Sequence, residues 1–134
     1  MRLNQVTVSS GDLDAAERFY RLLGLELIVR ADGYLRFVCP DGGSTFSVEF
    51  VAGTVAPGST TVYFESDELD AEHARLTAAG VAFEHPPQDM AWRWREARLR
   101  DPDGNRLCLF HAGEDRRDPP GRLFLMASRS DSVK

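Results

Sequence analysis

The chain has 134 residues, 43% of them hydrophobic, which is enough to bury one core and too little for a two-domain enzyme. Its formal net charge of −5 argues against sequence-independent nucleic-acid binding, which needs a basic face to neutralise phosphates. No apolar run is long enough to span a bilayer, Met1 to Val8 opens like a strand rather than a charged leader, and Cys39 and Cys108 fit neither a CxxC motif nor zinc-finger spacing. The expectation is a cytoplasmic domain with no membrane or nucleic-acid partner. Arg93, Arg95, Arg98 and Arg100 are locally basic, but Glu96 and Asp101 dilute them into a charged strand.

Taken in chain order, the elements repeat. Leu3 to Val8 is β-rich and leads into Ser10-Gly-Asp-Leu-Asp-Ala15, where Asp12 suits a helix N-terminus. Leu13, Ala16, Phe19, Tyr20 and Leu23 then recur at helical spacing until Gly24. Strands follow over Leu25 to Arg30, Tyr34 to Cys39 and Thr45 to Val51, with Ala31-Asp-Gly33 as a turn. Gly53 to Ser59 reads as a linker. A shift of 56 residues then lays Ser66-Asp-Glu-Leu-Asp-Ala71 on Ser10 to Ala15 and Gly80 on Gly24. The second half repeats the order: strand Thr60 to Glu65, a helix opened by Asp67 and ended by Gly80, and strands Val81 to His85, Trp94 to Arg100 and Arg106 to His111. Asp101-Pro-Asp-Gly104 supplies the last turn. The chain thus predicts an α+β fold of two tandem βαβββ units, 1–52 and 60–113, joined by the linker 53–59. A tail over 114–134, with Leu123 to Met126 as its one apolar run, is expected to be extended.

Strand parity separates two faces. Val6, Val8, Phe46, Val48, Phe50, Val62, Phe64, Ala97, Leu99, Leu107 and Leu109 make an apolar face for the helices. Gln5, Thr7, Ser47, Glu49, Thr61, Tyr63, Glu65, Glu96, Arg98, Arg106, Cys108 and Phe110 point the other way. Both halves contribute to this second face, and Tyr63, Trp92, Trp94 and Phe110 give it aromatic surface. It is therefore expected to wall a shared ligand cavity, with the two sheets curling into an open barrel and the helices outside, rather than to be merely solvated. For the two tryptophans, a role plugging the barrel mouth or lining a dimer interface stands equally open.

Asn4-Gln-Val-Thr-Val8 before Asp12-Leu13, Phe19-Tyr-Arg-Leu-Leu-Gly24, and Asp101-Pro-Asp-Gly-Asn-Arg-Leu-Cys-Leu-Phe110, together with the repeat, resemble the vicinal oxygen chelate superfamily of glyoxalases, bleomycin resistance proteins and dioxygenases. The resemblance covers about residues 1 to 113, and Trp92 to Asn105 with His111-Ala-Gly113 is similar to a bacterial subgroup of it. It implies metal ligands on the first and last strands of each unit. In the first unit these fall on Gln5 and Glu49, which suit Zn, Ni, Mn, Mg or Fe. In the second they fall on Thr61 and Cys108, a weak neutral hydroxyl and a thiol, so the set lacks the imidazole and second carboxylate of the pattern. His73, His85 and His111 do not replace them. Glu49, Glu65 and Glu96 with Gln5 form an alternative all-oxygen set.

Two readings follow. One is a small-molecule binder of the resistance or sequestration kind, expected to need no cofactor, with Thr61, Tyr63, Glu65, Trp92, Trp94, Arg98, Cys108 and Phe110 around the ligand. The other is a glyoxalase-like lyase or isomerase on a small oxygenated substrate, in which a divalent metal stabilises an enolate-like charge and Glu49 or Glu96 moves the proton. Ring-cleaving dioxygenation is the less favoured variant. A homodimer is expected in either case.

Overall fold

A computed structural model describes residues 1–123. The first unit runs β1 (Gln5–Ser10), α1 (Leu13–Leu22), β2 (Glu26–Ala31), β3 (Tyr34–Val38) and β4 (Thr45–Phe50). The second runs β5 (Thr61–Glu65), α2 (Leu69–Ala78), β6 (Gln88–Asp89), β7 (Arg95–Arg100) and β8 (Arg106–His111), followed by a short 3-10 turn over Gly113–Arg116. Each unit forms a four-stranded sheet, ordered β1-β4-β3-β2 and β5-β8-β7-β6, so the two sheets stay separate and do not close into a barrel. In both, the first strand pairs parallel with the last and the remaining pairs are antiparallel. The expected α+β architecture of two repeated units is the one observed. Leu123 belongs to the described chain, whereas the rest of the apolar run to Met126 and the end of the tail lie outside the described residues.

The repeat extends to the helix entries. Ser10 Oγ accepts from Asp12 N at 3.0 Å, and Ser66 Oγ accepts from Glu68 N at 3.1 Å. Asp12 caps α1 by accepting from Ala15 N, as its position before the helix suggests, while Asp67 makes no such bond and Glu68 is the cap residue of α2. The units differ most after the helix. In place of a strand over Val81 to His85 there is a single bridge, Phe83 to Leu99, and β6 lies beyond Pro86-Pro87. Two consecutive prolines offer no N–H to a ladder, so pairing resumes only after them.

Parity sorts the core as expected. Leu35, Phe37, Phe46 and Val48 bury against Ala16 and Tyr20 of α1, and Ala97, Leu99, Leu107 and Leu109 join Leu69 and Leu76 of α2 in the same core. Phe50 departs from the pattern, being 47% exposed. It is the last residue of β4, and its N–H bonds to Gly33 O in the neighbouring turn.

One polar cluster ties the units together. Tyr20 OH on α1 donates to Asp101 Oδ2 at 2.6 Å, Asn105 Nδ2 donates to Ser9 O at 2.9 Å, and Gly11 N donates to Asp103 Oδ1 at 2.8 Å. Within its own turn Asp101 also accepts from Asp103 N, Asn105 N and Asn105 Nδ2. Burial and the Asp101 carboxylate both push the Tyr20 phenol strongly upward, so it remains a donor. The Phe19-Tyr20 and Asp101-Pro-Asp-Gly-Asn105 motifs therefore meet as the two sides of one lock.

Candidate functional site

On the face of the second sheet turned away from α2, β5, β7 and β8 bring together Tyr63, Glu96, Arg98, Cys108 and Phe110. Their positions follow from the pairings Tyr63 with Cys108, Arg98 with Cys108, and Glu96 with Phe110. Trp94 enters from the loop before β7 and stacks on Phe110 with ring centroids 4.7 Å apart. Tyr63 meets both edge-on, at 6.0 Å from Trp94 and 5.6 Å from Phe110. These three rings form a continuous wall, and the exposed side of Tyr63 leaves it open to solvent.

Beside the wall lies a buried carboxylate. Glu96 is 1% exposed, yet both of its oxygens are partnered: Arg98 Nη2 donates to Oε1 at 3.2 Å and Trp92 Nε1 donates to Oε2 at 3.0 Å. Arg98 also donates to Tyr63 OH at 2.9 Å and lies over the Tyr63 ring. A buried charge is costly unless paired and hydrogen-bonded, and this one is both. Trp92, half exposed, lies over Glu96 and shields it from water. Tyr63, Trp92, Trp94, Glu96, Arg98, Cys108 and Phe110 thus lie beside one another on this sheet.

Two other expected members lie at the ends of β5, and Glu65, the partner of Phe110, is committed elsewhere. Glu65 is on β5, but one of its oxygens, Oε2, accepts from Ala112 N and Gly113 N at 2.8 and 2.9 Å, and Arg116 lies 3.7 Å from the other. It anchors the chain after β8. Thr61 pairs with Arg106 at the opposite end of β5.

The metal positions need a correction. Gln5 pairs with Thr45, and Glu49 pairs with Ser9 four residues further along β1, roughly 13 Å away at the usual strand rise. Gln5 Oε1 accepts from Thr45 Oγ1 at 2.7 Å instead. Strand pairing also shows which residue corresponds to Cys108. Cys108 pairs with Tyr63 and Arg98, and its counterpart in the first sheet pairs with Thr7 and Arg36. That residue is Ser47; Glu49 corresponds to Phe110. The four related positions are thus Gln5, Ser47, Thr61 and Cys108: one amide, two hydroxyls and a thiol. Burial, then the neighbouring Glu96 carboxylate, push the Cys108 thiol up to about 12, so it is not available as thiolate. Among the described residues no three His, Cys, Asp or Glu side chains are placed to hold a metal, which also dissolves the alternative set of Glu49, Glu65 and Glu96. His73 packs on the Phe83 ring, His85 bonds Pro86 O, and His111 bonds Ser66 O. The donor set does not fit the metal that the fold pattern implies.

The first sheet carries a related group that strand parity alone left unremarked. Ser47 is fully buried and shares a 2.6 Å hydrogen bond with Tyr34 OH, to which Arg36 Nε donates at 2.9 Å. The Ser47 hydroxyl, and then Arg36, lower the Tyr34 phenol from its ordinary value. Arg36 and Arg98 occupy corresponding strand positions, and each lies over a tyrosine ring, at 5.4 and 5.6 Å. The signal was available in the pair of turns Cys39-Pro-Asp-Gly42 and Asp101-Pro-Asp-Gly104, which align Arg36 with Arg98 at equal distance before the proline.

The model of the Glyoxalase/Bleomycin resistance protein/Dioxygenase superfamily matches residues 2–109. The chain belongs to that superfamily. No curated protein matches it. Among solved structures, a glyoxalase/bleomycin resistance protein/dioxygenase from Nocardioides is 25% identical with a TM-score of 0.75, covering 92% of this chain and 90% of that one. TnmS3, an antibiotic binding protein from Streptomyces sp. CB03234, is 27% identical with a TM-score of 0.72, covering 84% and 96%. A lactoylglutathione lyase from Agrobacterium tumefaciens is 25% identical with a TM-score of 0.70, covering 82% and 92%. The superfamily thus joins binders and enzymes on one fold, and the side chains of the site have to discriminate between them.

Proposed function

We propose that this member of the superfamily is a metal-independent binder of a small aromatic molecule, of the resistance or sequestration kind. The observation that carries the reading is the Tyr63, Trp94 and Phe110 wall set against the buried Glu96 and Arg98 pair. Tyr63 and Trp94, backed by buried Phe110, offer stacking surface, and the partly exposed Arg98 guanidinium, held in place by buried Glu96, orients polar groups of the ligand. The likeness to an antibiotic binding protein supports it. The likeness to a lactoylglutathione lyase keeps a lyase or isomerase as the competing reading, but Gln5, Ser47, Thr61 and Cys108 supply too few donors for its metal. We also assign a homodimer, with exposed Trp92 and Tyr63 at or near the contact, and a reducing compartment, consistent with two unpaired cysteines.

Tryptophan fluorescence tests the binder. Both tryptophans, Trp92 and Trp94, lie at the proposed site, so titration with bleomycin and with planar polycyclic antibiotics is expected to change emission with micromolar affinity for at least one compound. Trp94→Ala is expected to weaken that binding by about tenfold or more, the loss of one stacked ring. Turnover of a hemithioacetal on adding Zn²⁺ or Ni²⁺, with no binding by the aromatic panel, would replace this reading with the lyase. Sedimentation velocity addresses the dimer, and a monomer at all concentrations would remove it.

A further inference from the structure

The lock between the units exists only once, although the repeat provides for it twice. The turn Asp101-Pro102-Asp103-Gly104 enters the first unit, where it meets Tyr20, Ser9 and Gly11. The matching turn is Cys39-Pro40-Asp41-Gly42. It leaves β3 at the position where the other leaves β7, has a glycine of positive φ at the same place, and is one residue longer before Thr45. The 56-residue shift places Leu76, Glu65 and Asp67 where Tyr20, Ser9 and Gly11 stand in the first unit. At this end Cys39 replaces Asp101, Leu76 replaces Tyr20, and Gly43 and Ser44 stand where Asn105 would be. Cys39 N bonds back to Ser44 O within the turn, and among the described residues no hydrogen bond joins 39–44 to α2 or to Glu65–Asp67.

The missing lock leaves space. A cavity of about 440 Å³ opens there, lined by Cys39, Pro40, Asp41 and Ser44 on one side and by Glu65, Ser66, Glu72 and Leu76 on the other. Its inner wall is mainly Val6, Phe46, Val62, Phe64 and Leu109, residues whose parity turns them toward the helices, with Gln5 and Tyr63 of the other face at its edge. The volume falls in the range of small-molecule sites. Its polar lining is one-sided: Asp41, Glu65 and Glu72 contribute carboxylates, and among the described residues no arginine, lysine or histidine lines it. Glu65 and Glu72 are already committed to neighbouring N–H groups and arginines, whereas Asp41 has no ion pair or hydrogen bond among the described residues. An apolar interior with a free carboxylate at its rim suits a compact hydrophobic cation.

We propose that the cleft between the Cys39–Ser44 turn and α2 is a second ligand site, which meets the aromatic face only at Tyr63 and takes a small apolar molecule bearing a protonated amine. The amine faces Asp41, and the hydrocarbon body occupies the volume that the tyrosine and asparagine fill at the locked end. This assignment does not rest on the reading of the aromatic face, and either can fail alone.

Cys39 provides the readout, because it lines the cleft and is partly exposed while Cys108 is fully buried. The rate at which an aromatic disulfide reagent labels Cys39 is measured in the full-length protein against 2-(1-naphthyl)ethylamine, the matching alcohol 2-(1-naphthyl)ethanol, and 1-naphthylacetate. The amine is expected to slow labelling saturably, the alcohol to need about three to five times more probe, as for loss of an exposed ion pair, and the acid to protect least. Leu76→Tyr, which refills the space, is expected to abolish protection, and Trp94→Ala to leave it unchanged. Asp41→Asn, in an exposed turn where folding is not at risk, is expected to bring amine and alcohol to equal potency. Absence of protection by the amine, protection surviving in a folded Leu76→Tyr, protection lost in Trp94→Ala, or amine preference persisting in Asp41→Asn would each overturn the proposal.

Discussion

Cys108 lies at the centre of the second sheet with no exposed surface, flanked by Tyr63 and Arg98 on the neighbouring strands and close to the Glu96 carboxylate. Its thiol is pushed up to about 12 by burial first and by Glu96 second. In the unfolded chain a cysteine ionises near its ordinary value of about 8.5. Because the folded value is raised, this thiol's contribution to stability is complete below about pH 8.5, where neither state is ionised. It is lost progressively as pH rises toward 12, since only the unfolded chain gains a thiolate. Urea unfolding between pH 8 and 10.5 is therefore expected to show a fall in stability that Cys108→Ala reduces by roughly 2 to 3 kcal/mol at the upper end. An identical pH slope in the variant would mean that another group, such as Tyr20, carries the whole dependence. Cys39 is also raised, by burial and then by Asp41, but its partial exposure leaves it open to reagents.

At the level of elements, the repeat was legible because the residues that punctuate it are backbone-directed. Ser10 and Ser66 bond the N–H two residues on, and Gly24 and Gly80 both end helices at positive φ. The aromatic and charged face was legible through strand parity, which depends only on counting by two. The register between strands was not, because it depends on turn length. The Cys39–Ser44 turn is one residue longer than its partner, and taking Glu49 as the last-strand ligand, without counting through that turn, overshot the position by two. Parity survived that error, so the residue stayed on the correct face but moved along it. The missing strand after α2 has a similar origin, in two prolines whose effect on pairing is tertiary. The register makes a testable distinction. Introducing Thr61→His with Cys108→Glu supplies an imidazole and a carboxylate, but Ser47→Glu, not the native Glu49, completes the set with Gln5. In calorimetric titration with Zn²⁺ the triple variant is expected to bind at least about tenfold more tightly than the double, since a metal needs several donors held at once. Equal affinities would show that Glu49 reaches the ion after all.

At the scale of the whole molecule the two units are held unequally. At one end the Asp101 turn bonds to Tyr20, Ser9 and Gly11, and at the other an open cleft separates Cys39–Ser44 from α2. Between these ends the units meet through apolar contact, such as the Phe46 and Phe64 rings at 5.5 Å. Among the described residues, polar coupling is thus concentrated in one turn, which the buried Asp101 carboxylate organises. Asp101→Ala would leave Tyr20 OH and the turn N–H groups without their acceptor, at a cost on the order of 3 to 5 kcal/mol, whereas Tyr20→Phe removes one donor for about 1 to 2 kcal/mol. The two changes are expected to be non-additive, because once Asp101 is gone the Tyr20 hydroxyl is a buried group with no partner, and removing it becomes neutral or stabilising. Both tryptophans belong to the second unit, so fluorescence follows that unit while far-ultraviolet circular dichroism follows both. In the native protein the two probes are expected to give one coincident urea transition. In Asp101→Ala they are expected to separate, with each unit melting on its own once the shared lock is cut. Coincident transitions in that variant would show that apolar contact alone makes the molecule cooperative, and that the Tyr20 and Asp101 motifs serve local turn geometry rather than the union of the two units.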